Sequence, residues 1–561
     1  MAKPKTKSIE IKYRSEIFKV LEEYTKESFE YDPIGATRAG KDEFNAIWND
    51  YTYQEIDPFL KVAIRTQKKL NKLIPQDRHD EIARRVALAE IDRYVSEKPD
   101  DLVRYYAYWG SSYNPLEDVA GIFEFMPKKT PADISDIVAR LDGIPKVTTE
   151  WMSSLKDVQK LGEVNARCRV EWTVENIKNH ADKTFAKLGE TLDPKKENVK
   201  LQRAIKDAQL AFEVTAAWLE NVYLKQCKDD FRLGERMYIK HVEWSTGLKV
   251  NPRDVYEFGL KEIERINKEM WVVAKEIAPK AKRLTDVASA LDKNPRYTIH
   301  GRDELKKFFS DITEFAINEL DGRYFTLAKQ IRRCDVKLDD DTIDESPYYW
   351  GPSENLKRAG FGVYPTLGKD SFIIWQDMST WYHETVPGHH MQIGTSMVEK
   401  NKLTSYQRGE AWNSGYGEGW ALYSERLMDE LGYFSDPGYR MGYLMNQAMR
   451  AARLVVDVGL HLGYRDEHGN VWNLKSAKKF MMDRALLSES YAESEIRRYV
   501  SWGGQAVSYK LGERVWLEAR EEARERLGDK FSLLKFHMHA LKLGPMGLDM
   551  LKEELAKWDG R

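Results

Sequence analysis

His383-Glu384-Thr385-Val386-Pro387-Gly388-His389-His390 places three imidazoles and a carboxylate in one short run of a chain that holds only 11 histidines in 561 residues. That is the density of a metal site. The run reads as the zinc-hydrolase signature H-E-x-x-H with an interruption: Pro387 stands where the second histidine belongs, and the histidines arrive two and three residues late. Whether the chain stays helical here decides what the stretch can be. On a regular helix, His383 and His389 point roughly 120° apart. His383 and His390 share a face but lie about 10 Å apart along the axis. Two nitrogens bound to one zinc at roughly 2.1 Å each are at most about 4 Å apart. An unbroken helix therefore makes no site with either pair. A break at Pro387-Gly388 would, because proline withholds a backbone donor and glycine lets the chain turn back. The competing reading is a helix end followed by histidines that hold no metal.

Outward from this run, the chain reads as mainly α. Segments around 81–97, 151–189, 198–230, 253–279 and 301–333 carry apolar residues at three- and four-residue spacing among charged ones. Breakers at Pro99-Asp100, Gly143-Ile144-Pro145, Asp193-Pro194, Asn251-Pro252 and Asn294-Pro295 separate them. Strand-like runs are short and few, such as Ser371-Phe372-Ile373-Ile374-Trp375. The stretch 335–377, rich in proline, glycine and aromatics, is the least helical and leads straight into the histidine run. It is expected to be a loop-rich pocket wall rather than a linker. The expected organisation is residues 1–334 as a helical region on one side of a cleft, 335–377 as that wall, and 378–561 as a helical metal-site region. The charged run around Glu513–Arg526 reads as a solvated helix face.

Composition narrows the partners. Lys+Arg 88 against Asp+Glu 90 leaves almost no net charge, which argues against nucleic acid or an anionic membrane. No apolar run approaches the roughly 18 residues that span a bilayer. Residues 1–18 carry early lysines but no apolar stretch after them, so no export signal is read there. The three cysteines, Cys168, Cys227 and Cys334, lie far apart, as buried thiols in a reducing cytoplasm would. The oligomeric state is not encoded in any pattern here.

A zinc hydrolase holds its ion with three protein ligands and keeps one position open. The acidic partner of the histidines is expected to be Glu418, crowded by glycines in Gly415-Tyr416-Gly417-Glu418-Gly419-Trp420; Glu425 follows on the same helix face. The alternative for Glu418 is an ordinary glutamate near a helix start. Arg453, Asp457 and His461 form an i, i+4, i+8 stripe on an apolar helix, suited to orienting a histidine or holding a substrate carboxylate or oxyanion. An internal salt-bridge ladder is the other reading. Arg498, Gln505 and Tyr509 add a cation and polar groups further on, whereas His537 and His539 are expected to pack.

Taken together, in this order, these motifs resemble a bacterial family catalogued as domain of unknown function 885, whose members are regarded as zinc-dependent peptidases. The resemblance rests on His383-Glu384-x-x-Pro387-Gly388-His389-His390-x-Gln392, Glu418 to Tyr423, Arg453 to His461, Arg498-Tyr499 and Gly504 to Gly512. It is specific over the C-terminal third and looser before it. The family pattern keeps histidine at the place of His389 but admits tyrosine at that of His390, which implies that His389 is the second ligand and His390 a neighbour. Met538 departs from the aspartate that many members carry after Phe536-His537.

The resemblance implies a large multi-helical fold with a deep central cleft, similar to helical gluzincin-type metallopeptidases. It also implies one zinc ion on His383, His389 and Glu418, with manganese and cobalt also compatible with such ligands. Glu384 would be the general base, with His461, Arg498 or Tyr509 at the oxyanion. The expected substrates are short peptides; a small-molecule amide, or a binding scaffold with a vestigial site, are the rival expectations.

Overall fold

A computed structural model of the chain describes residues 13–54, 57–107, 109–110, 114–340 and 346–561. The reading of residues 1–18 as lacking an export signal falls mostly on residues 1–12, outside those described. Among the described residues helices dominate, with five short strands. Many helices start where the sequence supplies a cap. Thr130 and Asp133 form a capping box at Pro131–Lys160, Asn251 caps Pro252–Ile277, and Asp436 caps Pro437–Leu462.

Two of the expected breakers do not break. Arg78–Ala107 runs through Pro99, and Pro131–Lys160 runs through Pro145. Around Pro145, Leu141, Ile144, Val147 and Trp151 are buried at helical spacing. Burying that stripe outweighs the cost of a proline inside a helix, about 3 kcal/mol for the lost hydrogen bond and the ring clash together.

Among its described residues, the stretch 335–377 carries four short strands with loops between them, and part of it lines the cleft. Strands β1 (Thr298–His300) and β5 (Ser371–Ile373) pair antiparallel. Strands β2 (Cys334–Asp339), β3 (Tyr348–Trp350) and β4 (Gly360–Pro365) form a second sheet in the order β2-β4-β3, with β2 parallel and β3 antiparallel to β4. Every residue of β4 is buried, so no alternation marks it in the sequence.

One apolar core joins helices from both ends of the chain, from Ile17 to Trp558, and a second gathers residues between Trp109 and Cys227 around Ile34. The larger core is organised by Pro437–Leu462, against which Pro252–Ile277 lies closely enough that Gly259 faces Leu454 and Val455. The 513–526 face is not wholly solvated. Glu513 is buried between Arg426 and Lys510, and Arg520 pairs with Glu430. Internal ion pairing lets these charges turn inward. Among the described residues, no helix is long and apolar enough to cross a membrane.

Candidate metal centre

The helix Asp377–Glu384 ends at the motif, and a new helix, His389–Val398, begins at its second histidine. Between them the chain bulges out and folds back, with a cis Val386–Pro387 peptide. The bulge is closed by Gly388 N–H donating to the Tyr382 carbonyl at 3.0 Å and Trp420 Nε1 donating to the Pro387 carbonyl at 2.9 Å. A Cβ on Gly388 would lie 1.8 Å from the His383 carbonyl oxygen, so only glycine permits the return.

Glu418 is brought to the same point by Ser414–Glu430. That helix packs on Ser508–Leu527 at glycine contacts: a Cβ on Gly419 would lie 2.4 Å from Gly512 Cα. The glycines around Glu418 thus serve helix approach.

The result is a three-donor cluster. His383, His389 and Glu418 each offer one ligand atom, all within 4.8 Å of one another. His383 Nε2 is 3.2 Å and His389 Nε2 3.5 Å from Glu418 Oε2, and the two imidazole planes are nearly perpendicular, at 89°. On its far side His383 Nδ1 donates to Glu425 Oε1 at 2.8 Å, while Ser379 Oγ donates to Glu425 Oε2. That outer carboxylate fixes the tautomer that frees Nε2, as in metal-bound histidines. The position favours positive charge. Burial works against protonating His383, yet Glu418 and Glu425 outweigh it and push its pKa up to about 10. Burial likewise opposes ionising Glu418, yet the two histidines hold its carboxyl well below the usual range. Once a metal displaces the proton of the site, two imidazoles and a carboxylate are a donor set that zinc accepts, so the residues fit the ion.

His390 points elsewhere. Its Nε2 donates to the Ile331 carbonyl at 2.8 Å and its Nδ1 faces the Tyr349 hydroxyl at 2.9 Å; burial pushes its pKa down to about 4. It is a neutral tie between the motif helix and the sheet.

The three donors and Glu384 line a cleft of about 920 Å³, whose other walls include Tyr348, Tyr349 and Trp350 of β3. Glu384 is itself buried, which raises its pKa against the pull of both histidines. Arg498, Gln505 and Tyr509 also face the cleft. Arg498 Nη2 donates to Tyr509 Oη at 2.9 Å and to Gln505 Oε1 at 3.1 Å, and the Tyr509 ring stacks over His383 at 6.0 Å.

The 453–457–461 stripe is split. Arg453 lines the cleft and pairs with Glu495 at 2.7 Å. Asp457 and His461 are not among the lining residues. Asp457 Oδ2 accepts from Tyr238 Oη at 2.7 Å and from Gly504 N–H at 2.9 Å. His461 Nε2 donates to the Tyr499 carbonyl at 3.0 Å, and its Nδ1 accepts from Leu233 N–H at 3.4 Å. Both nitrogens are used on backbone, so His461 is packed as a structural group instead of meeting the cleft. His537 packs similarly, between Tyr423 and the Tyr324 carbonyl. Sequence reasoning missed Arg450, which lines the cleft one turn before Arg453; the i, i+3 arginine pair on an apolar helix was the available signal.

The fold is shared with two solved structures of distant sequence. One, described as "the putative lipoprotein from Colwellia psychrerythraea", superimposes with a TM-score of 0.83 at 21% identity, over 97% of this chain and 98% of that one. The other, described as "a putative lipoprotein of unknown function from Shewanella oneidensis", gives a TM-score of 0.72 at 20% identity, over 97% and 100%. No curated protein matches the sequence. The model of one family, described as "Bacterial protein of unknown function (DUF885)", matches residues 33–555, nearly the whole length, and the chain belongs to that family.

Proposed function

We propose that the protein is a zinc-dependent hydrolase that cleaves amide bonds in short peptides. The observation that carries this reading is the convergence of His383, His389 and Glu418 beside Glu384 in the wall of one cleft. Zinc bound there would act as a Lewis acid toward a water and the amide carbonyl; manganese or cobalt would suit the same donors. Glu384, buried and with a raised pKa, takes the proton of the attacking water and delivers it to the leaving amine. Tyr509 already accepts a hydrogen bond from Arg498, so its own proton is free to stabilise the oxyanion. A cleft of about 920 Å³ suits a short peptide or a small amide and excludes folded protein.

The test is a peptide mixture incubated with zinc-loaded wild type and Glu384→Gln. Wild type cleaves, and the variant is slower by at least ~100-fold. Equal rates would refute the mechanism. Cleavage of acylated amino acids but of no dipeptide would move the substrate to small-molecule amides. Protein that neither takes up zinc nor hydrolyses any amide would be a scaffold.

A cytoplasmic setting, without nucleic-acid or membrane partners, is part of the same proposal. It is supported by three cysteines outside any disulfide and by a charge near zero. The word lipoprotein in the descriptions of two structural relatives argues for the cell envelope. Cell fractionation decides between them.

A further inference from the structure

Arg450 is 3% exposed, yet it lines the cleft and has no carboxylate partner among the described residues. Its Nε has no hydrogen-bond partner, and its Nη1 reaches only the Met449 sulfur at 3.4 Å. A guanidinium stays charged at any working pH. Leaving one buried and unpaired is costly, and such groups are rare in native proteins unless a ligand satisfies them.

Its neighbours add to the charge. The guanidinium carbons of Arg450, Arg453 and Arg498 lie 5.2, 4.3 and 5.7 Å from the ring centre of Tyr509. Glu495 serves Arg453 through Nε, but Arg453 Nη1 also lacks a partner. One arginine wall, only partly neutralised, thus stands against the ring that stacks on His383.

From this geometry, and resting on the hydrolase reading above, we infer that Arg450, with Arg453 Nη1, binds the C-terminal carboxylate of the substrate. The distances from Arg450 to the Tyr509 ring, 5.2 Å, and from that ring to His383, 6.0 Å, limit the gap to the metal cluster. At ~3.5 Å per extended residue, the gap holds at most about three residues. The enzyme is then a carboxy-terminal trimming peptidase, releasing one to three residues from short peptides. Water adds across the scissile amide, giving a new carboxylate on the amino-terminal fragment and a free amine on the released one.

The experiment uses N-acetylated trialanine as free acid, as C-terminal amide, and as the amide with glutamate as its last residue. Cleavage is measured with zinc-loaded wild type, Arg450→Gln and Arg450→Lys. Binding is measured by calorimetry on zinc-loaded Glu384→Gln, which retains substrate. The free acid is expected to be cleaved and bound about 100-fold better than either amide. Arg450→Gln brings the acid down to the level of the amide, and Arg450→Lys recovers part of the difference; thermal melts of both variants confirm folding. Equal treatment of acid and neutral amide by wild type overturns the inference while leaving the hydrolase reading intact. Preferred binding of the acid without any cleavage upholds the carboxylate site and removes the hydrolase. Good turnover of the glutamate amide overturns the terminal assignment in favour of an acidic side chain. Absence of binding by all three peptides overturns the inference outright.

Discussion

The molecule buries two histidine–carboxylate clusters and treats them in opposite ways. At the cleft, His383 has a carboxylate on each nitrogen, and its pKa is pushed up to about 10. In the closed part of Pro437–Leu462, His461 has a backbone group on each nitrogen, with Asp457 Oδ1 at 3.8 Å, and burial pushes its pKa down to about 3. The acids mirror this. Glu418 is held well below the usual carboxylate range, whereas burial raises Asp457 to about 7 in spite of its bonds from Tyr238 and Gly504. Burial alone therefore does not make a site. What distinguishes the cleft cluster is that its polar atoms point at one another, leaving a position that a cation would satisfy, while in the closed cluster both His461 nitrogens and Asp457 Oδ2 are bonded within the fold and only Asp457 Oδ1 lacks a hydrogen-bond partner.

The contrast extends to neighbouring residues of the same motif, and there the largest effect is expected. His389→Ala removes one of the three proposed ligands and should lower zinc affinity by more than the 10–100-fold typical of outer-sphere partners. His390→Ala should leave zinc affinity nearly unchanged, because its nitrogens serve Tyr349 and Ile331. It should instead destabilise the fold by roughly 1–3 kcal/mol through those unpaired groups. A competition titration against a chromophoric chelator, with thermal melts of both variants, separates the two. If His390→Ala loses zinc as His389→Ala does, the assignment of ligands is wrong.

The cleft cluster was largely legible in the sequence and the closed one was not. The spacing of His383 and His389 excludes a shared site on a regular helix, so a site required a break at Pro387-Gly388, and glycine-flanked Glu418 was the carboxylate expected to join it. By contrast, Arg453, Asp457 and His461 look continuous at four-residue spacing. Each such step drifts about 40° around a helix of 3.6 residues per turn. Arg453 consequently faces the cleft, whereas Asp457 and His461 turn under Tyr238 and Gly503-Gly504. The sheet within 335–377 was hidden for another reason: its central strand is buried on both faces and shows no alternation. Pro145 misled because local propensity is overruled when a long apolar stripe is buried.

The closed cluster predicts its own pH dependence. Asp457 stays protonated in the fold up to about 7, while an unfolded aspartate ionises near ~3.9. The stability tied to that proton is complete below ~3.9 and is lost as the pH rises through about 7. At 1.36 kcal/mol per unit the loss reaches at most ~4 kcal/mol. Asp457→Asn, whose carboxamide oxygen still accepts from Tyr238 and Gly504, cannot ionise. Its melting temperature should gain on wild type between pH 4 and 8, with zinc affinity unaltered. Parallel curves for the two proteins would mean that Asp457 is charged in the fold.

The smallest effect tests what makes His383 different from His461. Glu425 is completely buried, accepts hydrogen bonds from His383 Nδ1 on one oxygen and from the Ser379 hydroxyl on the other, and so stands behind the ring. Glu425→Gln keeps the shape: the carboxamide oxygen still accepts from Nδ1, and the Ser379 hydroxyl rotates to accept from the new amide. Only the charge is removed. If that charge is what strengthens Nε2 as a donor, zinc affinity should fall by about 10- to 100-fold, with a melting temperature close to wild type in metal-free protein. Undiminished affinity would mean that ring orientation alone suffices. His461, equally well oriented by its backbone partners, would then differ from His383 in having Nε2 held by the Tyr499 carbonyl rather than facing a second imidazole and a carboxylate.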